Sequence, residues 1–331
     1  MPIQTKRYKI RHLRRHEIPQ LLQICHKEGR HMGTTEEVES WLQFDPKGFF
    51  VAVDDDGVIL GSCCGIRLSG QHGYVGMYVV SAEWRGCGIG KQIWNAAIHH
   101  LGHRNNGLSA VSHLFQLYRD KAGFCHIADW TVDLYKLNHM HKLYQYIASD
   151  HSINKSDTDI PIYQLNYDMS EFCTVSVSPK LRTKPINDKL IADVIAYDRR
   201  LHSYDRSKIV RLTVRESKCR TRVALLGDTV VGYGCIKPNL QNHWMITPLY
   251  ADNEYIARML LCDLLSGLSM LELDEGVVLK TPSNNNSAIN LLKMLGFEKQ
   301  TYSLKRCYTR QVFDVPTHHI YALHTSVFCT E

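Results

Sequence analysis

The most constraining part of this sequence is residues 74–91, YVGMYVVSAEWRGCGIGK, where an apolar strand leads through glycines into an amphipathic helix. Backbone N–H groups in the first turn of a helix have no partners within the helix, and the helix dipole places partial positive charge there. Gly86, Gly88 and Gly90 permit positive φ and let a ligand approach the backbone closely. The segment therefore predicts a cradle for a phosphate-bearing ligand.

The spacing of the glycines narrows the choice of ligand. A dinucleotide-binding loop requires Gly-x-Gly-x-x-Gly directly after the strand, and a P-loop requires Gly-Lys followed by Ser or Thr. Here Gly90 and Lys91 are followed by Gln92, so neither pattern fits. The pattern that is present is Arg-x-x-Gly-x-Gly, which begins at Arg85 and ends at Gly90.

Length and composition predict a globular protein of two domains. A chain of 331 residues is long for one domain, and it has no apolar run of the roughly 20 residues that span a bilayer. We see no secretory pattern at the N-terminus, and the 11 cysteines form no disulfide or zinc framework. This predicts reduced thiols in a cytoplasmic protein, without excluding the nucleus. The 18 histidines lack companion ligands, so we expect no metal site.

The charge pattern favours a small anionic ligand over nucleic acid. The net charge of +6 is mild, and the densest basic cluster lies in residues 7–15. There Arg7, Lys9 and Arg11 alternate with hydrophobic residues, as on the exposed face of a half-buried strand. No aromatic stacking platform or recognised module accompanies them, so nucleic acid is not expected as a partner.

The predicted elements follow the same order in both halves of the chain. Strands and helices alternate through residues 8–134, and residues 188–308 repeat the series, with a Gly-Phe pair after a helix in each half. We therefore predict an internal repeat. The predicted units are an N-terminal domain of residues 1–137, a connecting segment of residues 138–180 and a C-terminal domain of residues 181–331. Within the connecting segment, residues 149–159 are polar and predict an exposed loop.

The glycine loop, with the strand before it and the helix after it, resembles the coenzyme A loop of the GNAT superfamily of N-acetyltransferases. The whole chain resembles the YitH-like tandem GNAT proteins, in which a catalytic-type domain precedes a divergent one. The stretches that carry the resemblance are residues 45–52, 76–80, 84–90, 106–111, 196–198, 248–252 and 285–297. It implies an α/β (α+β) fold class of two GNAT-like domains, each with a mixed, mostly antiparallel twisted sheet flanked by helices.

The resemblance also implies an activity and a cosubstrate. It implies an acetyl-CoA-dependent N-acetyltransferase that moves an acetyl group to the primary amine of a small molecule or peptide, by direct attack in a ternary complex. The strand before the loop would splay from its neighbour and offer backbone groups to pantetheine and to the acetyl carbonyl. The residues that the resemblance assigns to acetyl-CoA are Val79, Val80, Arg85, Gly86, Cys87, Gly88, Ile89, Gly90, Lys91 and Ser112.

The proton-transfer groups depart from the family pattern. Family members commonly place a thiolate-protonating tyrosine four residues before the glycine of the terminal Gly-Phe pair. Here that position is Arg119, and Tyr118 stands one residue earlier. One residue is a turn of about 100° on a helix, so Tyr118 points elsewhere unless the helix end is bulged or overwound. Ser112 likewise stands where the family often has asparagine.

Tyr118 is nevertheless the candidate acid, and the general base is left open among residues near the expected cleft. The candidates are Tyr74 and Tyr78 on the key strand, His72 before it and His113 after the next strand. Histidine has the better unperturbed pKa for this role.

The second half lacks the features of a coenzyme A loop. The segment predicted to join its strand and helix is residues 247–253, which contain no glycine. Pro248 has no N–H, and Asp252 is expected to cap the helix, so that its carboxylate would occupy the place of a phosphate. We therefore expect this half not to bind coenzyme A but to shape an acceptor pocket at the domain interface.

A second class of function is compatible with the same residues. The displaced Tyr118 and Ser112 would also suit a catalytically weak coenzyme A-binding or regulatory protein. The sequence leaves open the acceptor amine, the oligomeric state and any catalytic contribution of the second half.

Overall fold

Strands and helices alternate along the first half of the chain. The computed structural model describes residues 7–137 and 180–329. The 3-10 turns Ala82–Trp84 and Ser112–Leu114 precede the third and fourth helices. In order, the elements are β1 (Lys9–His12), α1 (Ile18–Lys27), α2 (Thr35–Phe44), β2 (Phe49–Val53), β3 (Ile59–Arg67), β4 (His72–Val80), α3 (Ile89–Leu101), β5 (Asn105–Val111), α4 (Phe115–Ala122) and β6 (His126–Leu137).

The second half repeats this series, with one helix and one strand added. The added elements are α8, before β11, and β13, after β12. The elements are β7 (Leu181–Pro185), α5 (Asp188–Leu201), α6 (Ser207–Thr213), β8 (Arg220–Leu226), β9 (Thr229–Pro238), β10 (Trp244–Ala251), α7 (Glu254–Ser266), α8 (Met270–Asp274), β11 (Val277–Pro282), α9 (Asn286–Met294), β12 (Phe297–Tyr308) and β13 (Ile320–Ala322).

All of these strands belong to one sheet whose order is symmetric about its centre. The order is β1-β2-β3-β4-β5-β12-β6-β11-β10-β9-β8-β7, and β13 pairs with β10 outside this path. Among the strands of the described residues, only β4–β5 and β10–β11 are parallel pairs. Because β12 lies between β5 and β6, and β6 lies between β12 and β11, each half lends its last long strand to the other half.

The exchanged strands carry the hydrophobic core across the junction. Tyr135 and Leu137 of β6 pack in a buried cluster whose other members all come from the second half. Cys307 of β12 is buried in a cluster that otherwise belongs to the first half. Burial of apolar surface stabilises a fold by about 25 cal/mol per Å², so the strand that each half supplies adds to the buried apolar core of the other.

The expected α/β fold class, with a mixed, mostly antiparallel sheet flanked by helices, is confirmed. The two sheets are joined into one, which a reading of local patterns does not anticipate. Several elements differ in length from what the sequence pattern predicts. A strand predicted at residues 243–247 continues to Ala251, a helix predicted at residues 205–216 is Ser207–Thr213, and a helix predicted at residues 92–101 already begins at Ile89. β7, α8 and β13 were not expected.

The predicted domain boundaries stay predictions. The loop predicted at residues 149–159, and residues 138–179 as a whole, lie outside the described residues. Within residues 7–137 and 180–329, no helix has the length and apolar character needed to cross a bilayer.

The pairing of β6 with β12 allows the strand exchange between the two halves to be tested. Asp133 of β6 is 1% exposed, and it accepts hydrogen bonds from Ser303 Oγ at 2.7 Å and from Lys299 Nζ at 2.5 Å, both on β12. Asp133→Ala should lower the free energy of unfolding by about 2–3 kcal/mol, because hydrogen bonds to a buried charge are lost. Urea unfolding followed by tryptophan fluorescence measures this.

Asp129→Ala is the matched control, because Asp129 lies on the same strand but is exposed. It should change stability by less than about 0.5 kcal/mol. Equal stability of the two variants would contradict a structural role for the β6–β12 pair.

Candidate functional site

Strand β4 separates from its parallel neighbour β5 after three residue pairs. His72, Gly73 and Tyr74 pair with residues 105–107, and no described strand pairs with the rest of β4 on that side. On its other side β4 stays paired with β3, but the register shifts where Met77 takes a positive φ of 45°. A bulge of this kind bends a strand. The result is a V-shaped opening, the β4 notch, along residues 75–80.

The segment between β4 and α3 has the conformation of an anion cradle. Gly86 and Gly88 both have φ of 82°, a region that residues with a Cβ rarely adopt. Gly88 is the N-cap of α3, and no side chain caps this helix. The first N–H groups of α3 are therefore available to a ligand, with the positive end of the helix dipole behind them.

Tyr78 explains why residue 90 is a glycine. A Cβ added to Gly90 would lie 2.5 Å from the hydroxyl oxygen of Tyr78. The end of β4 therefore packs directly on the first turn of α3.

The side chain of Arg85 bonds to Glu28 and to the backbone of Val80, and not to the N-terminus of α3. Its Nη2 donates to Glu28 Oε1 at 2.5 Å, and its Nε donates to the carbonyl of Val80 at 3.1 Å. These bonds hold the loop to the end of α1 and to the end of β4. Among the other predicted cofactor residues, Cys87 and Lys91 are exposed and Ile89 is buried in the core. Val79 is buried and Val80 is half-buried at the strand end.

A partly enclosed cavity lies at the inner end of the notch. Both halves of the chain form its walls. From the first half it is lined by Cys25, Arg30, His31, Met32, Val75, Gly76, Met77, Tyr78, Val79, Trp94, Leu108, Ser109, Val111, Leu114 and Tyr118. From the second half it is lined by Lys280, Tyr302, Leu304, Ser326 and Val327.

Tyr118 lies on the cavity wall, whereas Arg119 is exposed. The ring of Tyr118 stacks on Trp94 with a centroid distance of 5.4 Å, and Arg119 bonds to Asp120 at the surface. The N–H groups of Gly123 and Phe124 both bond to the carbonyl of Tyr118, so the last turn of α4 is wider than a regular helical turn. Burial raises the pKa of Tyr118, so its hydroxyl is protonated at neutral pH.

Tyr78 also lines the cavity, but the other candidate proton-transfer residues do not. His113 and Ser112 are exposed in the turn before α4. His72 packs on Phe313 with a centroid distance of 4.0 Å. Tyr74 is fully buried and bonds to Ser109 Oγ at 2.7 Å.

Three ionisable cavity residues were missed by sequence reasoning. Arg30 and His31 follow α1, and Lys280 lies on β11 of the other half. Burial, together with the positive charge of Lys280, lowers the pKa of His31 to about 4, so its imidazole is neutral at pH 7. The sequence shows only that residues 30, 31 and 280 are basic. It contains no local motif that would place them at one site.

In the second half, the equivalent notch is filled by the chain itself. β10 and β11 also pair over only three residues, 244–246 with 277–279. Beyond that point β13 pairs with β10, and Leu323 N–H donates to the carbonyl of Lys280 on β11 at 2.8 Å. The residues from Ile320 to Leu323 therefore bridge the two strands in the position where the first half has the β4 notch.

The expected helix cap in this half is corrected. Asn253, not Asp252, caps α7, and its side chain accepts a hydrogen bond from Ile256 N at 3.0 Å. The predicted loop is also shorter, because residues 247–251 belong to β10. Only residues 252 and 253 connect strand to helix here, compared with residues 81–88 in the first half. No glycine-bearing cradle can form in so short a connection.

Comparison with known protein families identifies both halves of this fold. The profile described as "Acetyltransferase (GNAT) family" matches residues 15–145, and the profile described as "Acetyltransferase (GNAT) domain" matches residues 194–322. The chain therefore belongs to the GNAT superfamily of acetyltransferases and carries two GNAT domains in tandem. No curated protein matches it at the level of sequence.

Solved structures share the fold over almost the whole chain. An acetyltransferase structure from Pyrococcus horikoshii has a TM-score of 0.70 at 16% identity, covering 99% of this chain and 98% of the other. A tandem GNAT protein from the clavulanic acid biosynthesis pathway, solved without AcCoA, has a TM-score of 0.58 at 14% identity and coverages of 91% and 98%. A GCN5-related N-acetyltransferase from Sphaerobacter thermophilus has a TM-score of 0.54 at 14% identity, covering 94% of this chain and 98% of the other.

The cradle contains a natural reporter group. Cys87 and Cys125 are both exposed, but only Cys87 lies beside the first turn of α3. Acetyl-CoA bound through its pyrophosphate should cover Cys87 and slow its alkylation by iodoacetamide several-fold. Peptide mass spectrometry measures both cysteines in one sample, so Cys125 is the internal control. Alkylation of Cys87 at an unchanged rate with saturating acetyl-CoA would contradict the cradle assignment.

Proposed function

We propose that this protein is an acetyl-CoA-dependent N-acetyltransferase with a single cosubstrate site in its first half. Three neighbouring features support the proposal. The N-terminus of α3 has no side-chain cap, β4 separates from β5 after three residue pairs, and Tyr78 and Tyr118 line a cavity that also contacts residues 75–79 of β4. In this arrangement the N–H groups of residues 86–91 bind the pyrophosphate, and the pantetheine arm lies along Val79 and Val80.

Acetyl-CoA supplies an acetyl group already activated as a thioester. Backbone N–H groups on the free edge of β4 orient the acetyl carbonyl and stabilise the negative charge that develops on its oxygen, a contribution of about 3–4 kcal/mol per well-placed donor. The cavity holds the primary amine of the acceptor against the carbonyl carbon. Attack by the neutral amine forms the C–N bond, and the C–S bond then breaks as Tyr118 gives its hydroxyl proton to the departing sulfur. The proton that the attacking nitrogen loses passes to solvent, and Tyr118 takes a proton back from solvent, so that N-acetylated amine and free coenzyme A are the products.

The acceptor enters from the side of the second half. The second half supplies five residues of the cavity wall, which are Lys280 of β11, Tyr302 and Leu304 of β12, and Ser326 and Val327 beyond β13. We propose that this half selects the acceptor and binds no coenzyme A, because Ile320–Ala322 fills its notch and Asn253 caps its helix.

Gly90→Asp tests the cosubstrate site. The new side chain would meet the Tyr78 hydroxyl and place a carboxylate against the pyrophosphate. The Kd for acetyl-CoA should rise about 100-fold or more, equivalent to about 2.7 kcal/mol. Isothermal titration calorimetry measures the Kd, and the wild-type titration should give one site per chain.

The matched control is Gly70→Asp. Gly70 is exposed, has ordinary φ and has open space where a Cβ would lie. This variant should bind acetyl-CoA like the wild type. Normal binding by Gly90→Asp, or two equivalent sites in the wild type, would refute the proposed site or the division between the halves.

Tyr118→Phe tests the proton donor. The substitution keeps the ring stack on Trp94 and removes only the hydroxyl. Thiol release with a panel of amines should show kcat lowered by about 10²–10⁴-fold, with the Kd for acetyl-CoA unchanged. Tyr255→Phe on α7, which does not line the cavity, should keep wild-type kcat.

An unchanged kcat in Tyr118→Phe would remove this residue from the mechanism. If the wild type binds acetyl-CoA but releases no thiol with any amine, the protein is better described as a coenzyme A-binding regulatory protein.

A further inference from the structure

Lys280 is a buried cation whose hydrogen bonds all go to neutral groups. Its side chain is 6% exposed, and its Nζ donates to the carbonyl of His31 and to Ser326 Oγ at 2.8 Å. A lysine ammonium offers three donors, so one is left to face the cavity that Lys280 lines. Burial lowers the pKa of Lys280 to about 8, which still leaves most of it charged at pH 7.

Two other buried cations of this protein have carboxylate partners. Lys237 Nζ lies 2.8 Å from Glu216 Oε2, and Arg206 Nε lies 3.5 Å from Asp198 Oδ1. Burying a charge without an opposite charge is costly, so these pairs follow the usual rule. Lys280 has no such partner among the described residues, and it differs from the other two in lining a cavity.

A second cation faces the same space. Arg30 lines the cavity, its Nη2 donates to the carbonyl of Tyr78 at 3.2 Å, and its charge opposes protonation of Lys280. No aspartate or glutamate is among the described residues that line the cavity. The carboxylate that acts on Lys280 is Glu37, which lies outside the lining and accepts a hydrogen bond from Gly33 N. The neutral imidazole of His31 does not balance the charge.

We propose that the acceptor is an amine that also carries a carboxylate, and that Lys280, assisted by Arg30, binds this carboxylate. The chemical class is an amino acid or a peptide with a free carboxyl end. This rests on the proposed function and specifies its substrate. The surrounding walls, Met32, Met77, Leu108, Leu304 and the rings of Trp94 and Tyr302, favour an apolar side chain on the acceptor.

The carboxylate site can be tested without turnover, through the binding of reaction products. The probes are N-acetyl-L-leucine and N-acetyl-L-phenylalanine, each compared with its carboxamide in the presence of coenzyme A. Each pair differs only in the negative charge. Calorimetry should show that the wild type binds at least one acid about 10-fold or more tightly than its amide, as expected for a charge-assisted hydrogen bond.

Lys280→Met should bring the acid-to-amide ratio close to one, without changing the Kd for acetyl-CoA. Lys280→Arg, which keeps the charge, should keep a preference for the acid. Lys293→Met, which removes an exposed lysine on α9, should behave as the wild type. If Lys280→Met fails to fold, the wild-type ratio and Lys280→Arg decide the result.

The inference is overturned if the wild type binds acids and amides equally, if it binds neither, or if folded Lys280→Met keeps the full preference. A thiol-release assay with the corresponding amino acids and amino acid amides separates this result from the proposed function. Turnover without preference for the carboxylate would refute the inference alone. Preferential binding of the acids without turnover of any amine would refute the acetyltransferase proposal alone.

Discussion

The antiparallel pair of β6 and β12 is the interaction on which the rest of this structure depends. Each strand leaves its own half and completes the sheet of the other, so the two GNAT domains share one continuous sheet. The exchange places β12, the last long strand of the second half, directly beside β5, and its residues Tyr302 and Leu304 line the cavity. The cavity therefore has walls from both halves because of strand pairing, and not because two finished domains dock.

The sheet is nearly symmetric, but its two halves differ at the strand pair that separates in each half. Both halves contain a parallel strand pair that separates after three residues. In the first half no described strand pairs with residues 75–80 of β4 on the side of β5, and the glycine-bearing residues 81–88 follow β4. In the second half β13 occupies the notch, and Asn253 caps the helix terminus. The two halves therefore share one fold but differ at the corresponding strand end and helix N-terminus.

Features that depend only on residues close together in the sequence could be predicted from the sequence. Gly86, Gly88 and Gly90 lie in a strand–loop–helix unit, and the conformation required of each follows from its nearest neighbours, so the cradle could be predicted. Lys280 could not be placed, because its position depends on which strand lies next to β11 in the exchanged sheet. Tyr118 was ambiguous because its direction depends on how the last turn of α4 closes. Asp252 and Asn253 are both good capping residues, and the choice between them depended on how far β10 continues.

The segment beyond β13, residues 323–329, packs against other parts of the chain and completes the cavity wall with Ser326 and Val327. Thr247 Oγ1 donates to the carbonyl of His324, Tyr74 donates to the carbonyl of Ser326 at 2.9 Å, and Phe328 stacks on Trp41. The carbonyl of Val327 approaches Gly76 so closely that a Cβ there would collide with it. During synthesis on the ribosome the cradle and the notch emerge early, but the cavity stays incomplete until residues 320–329 have been released. Premature termination anywhere upstream of them would leave a chain with the glycine-bearing loop after β4 but without Ser326 and Val327, which complete the cavity wall.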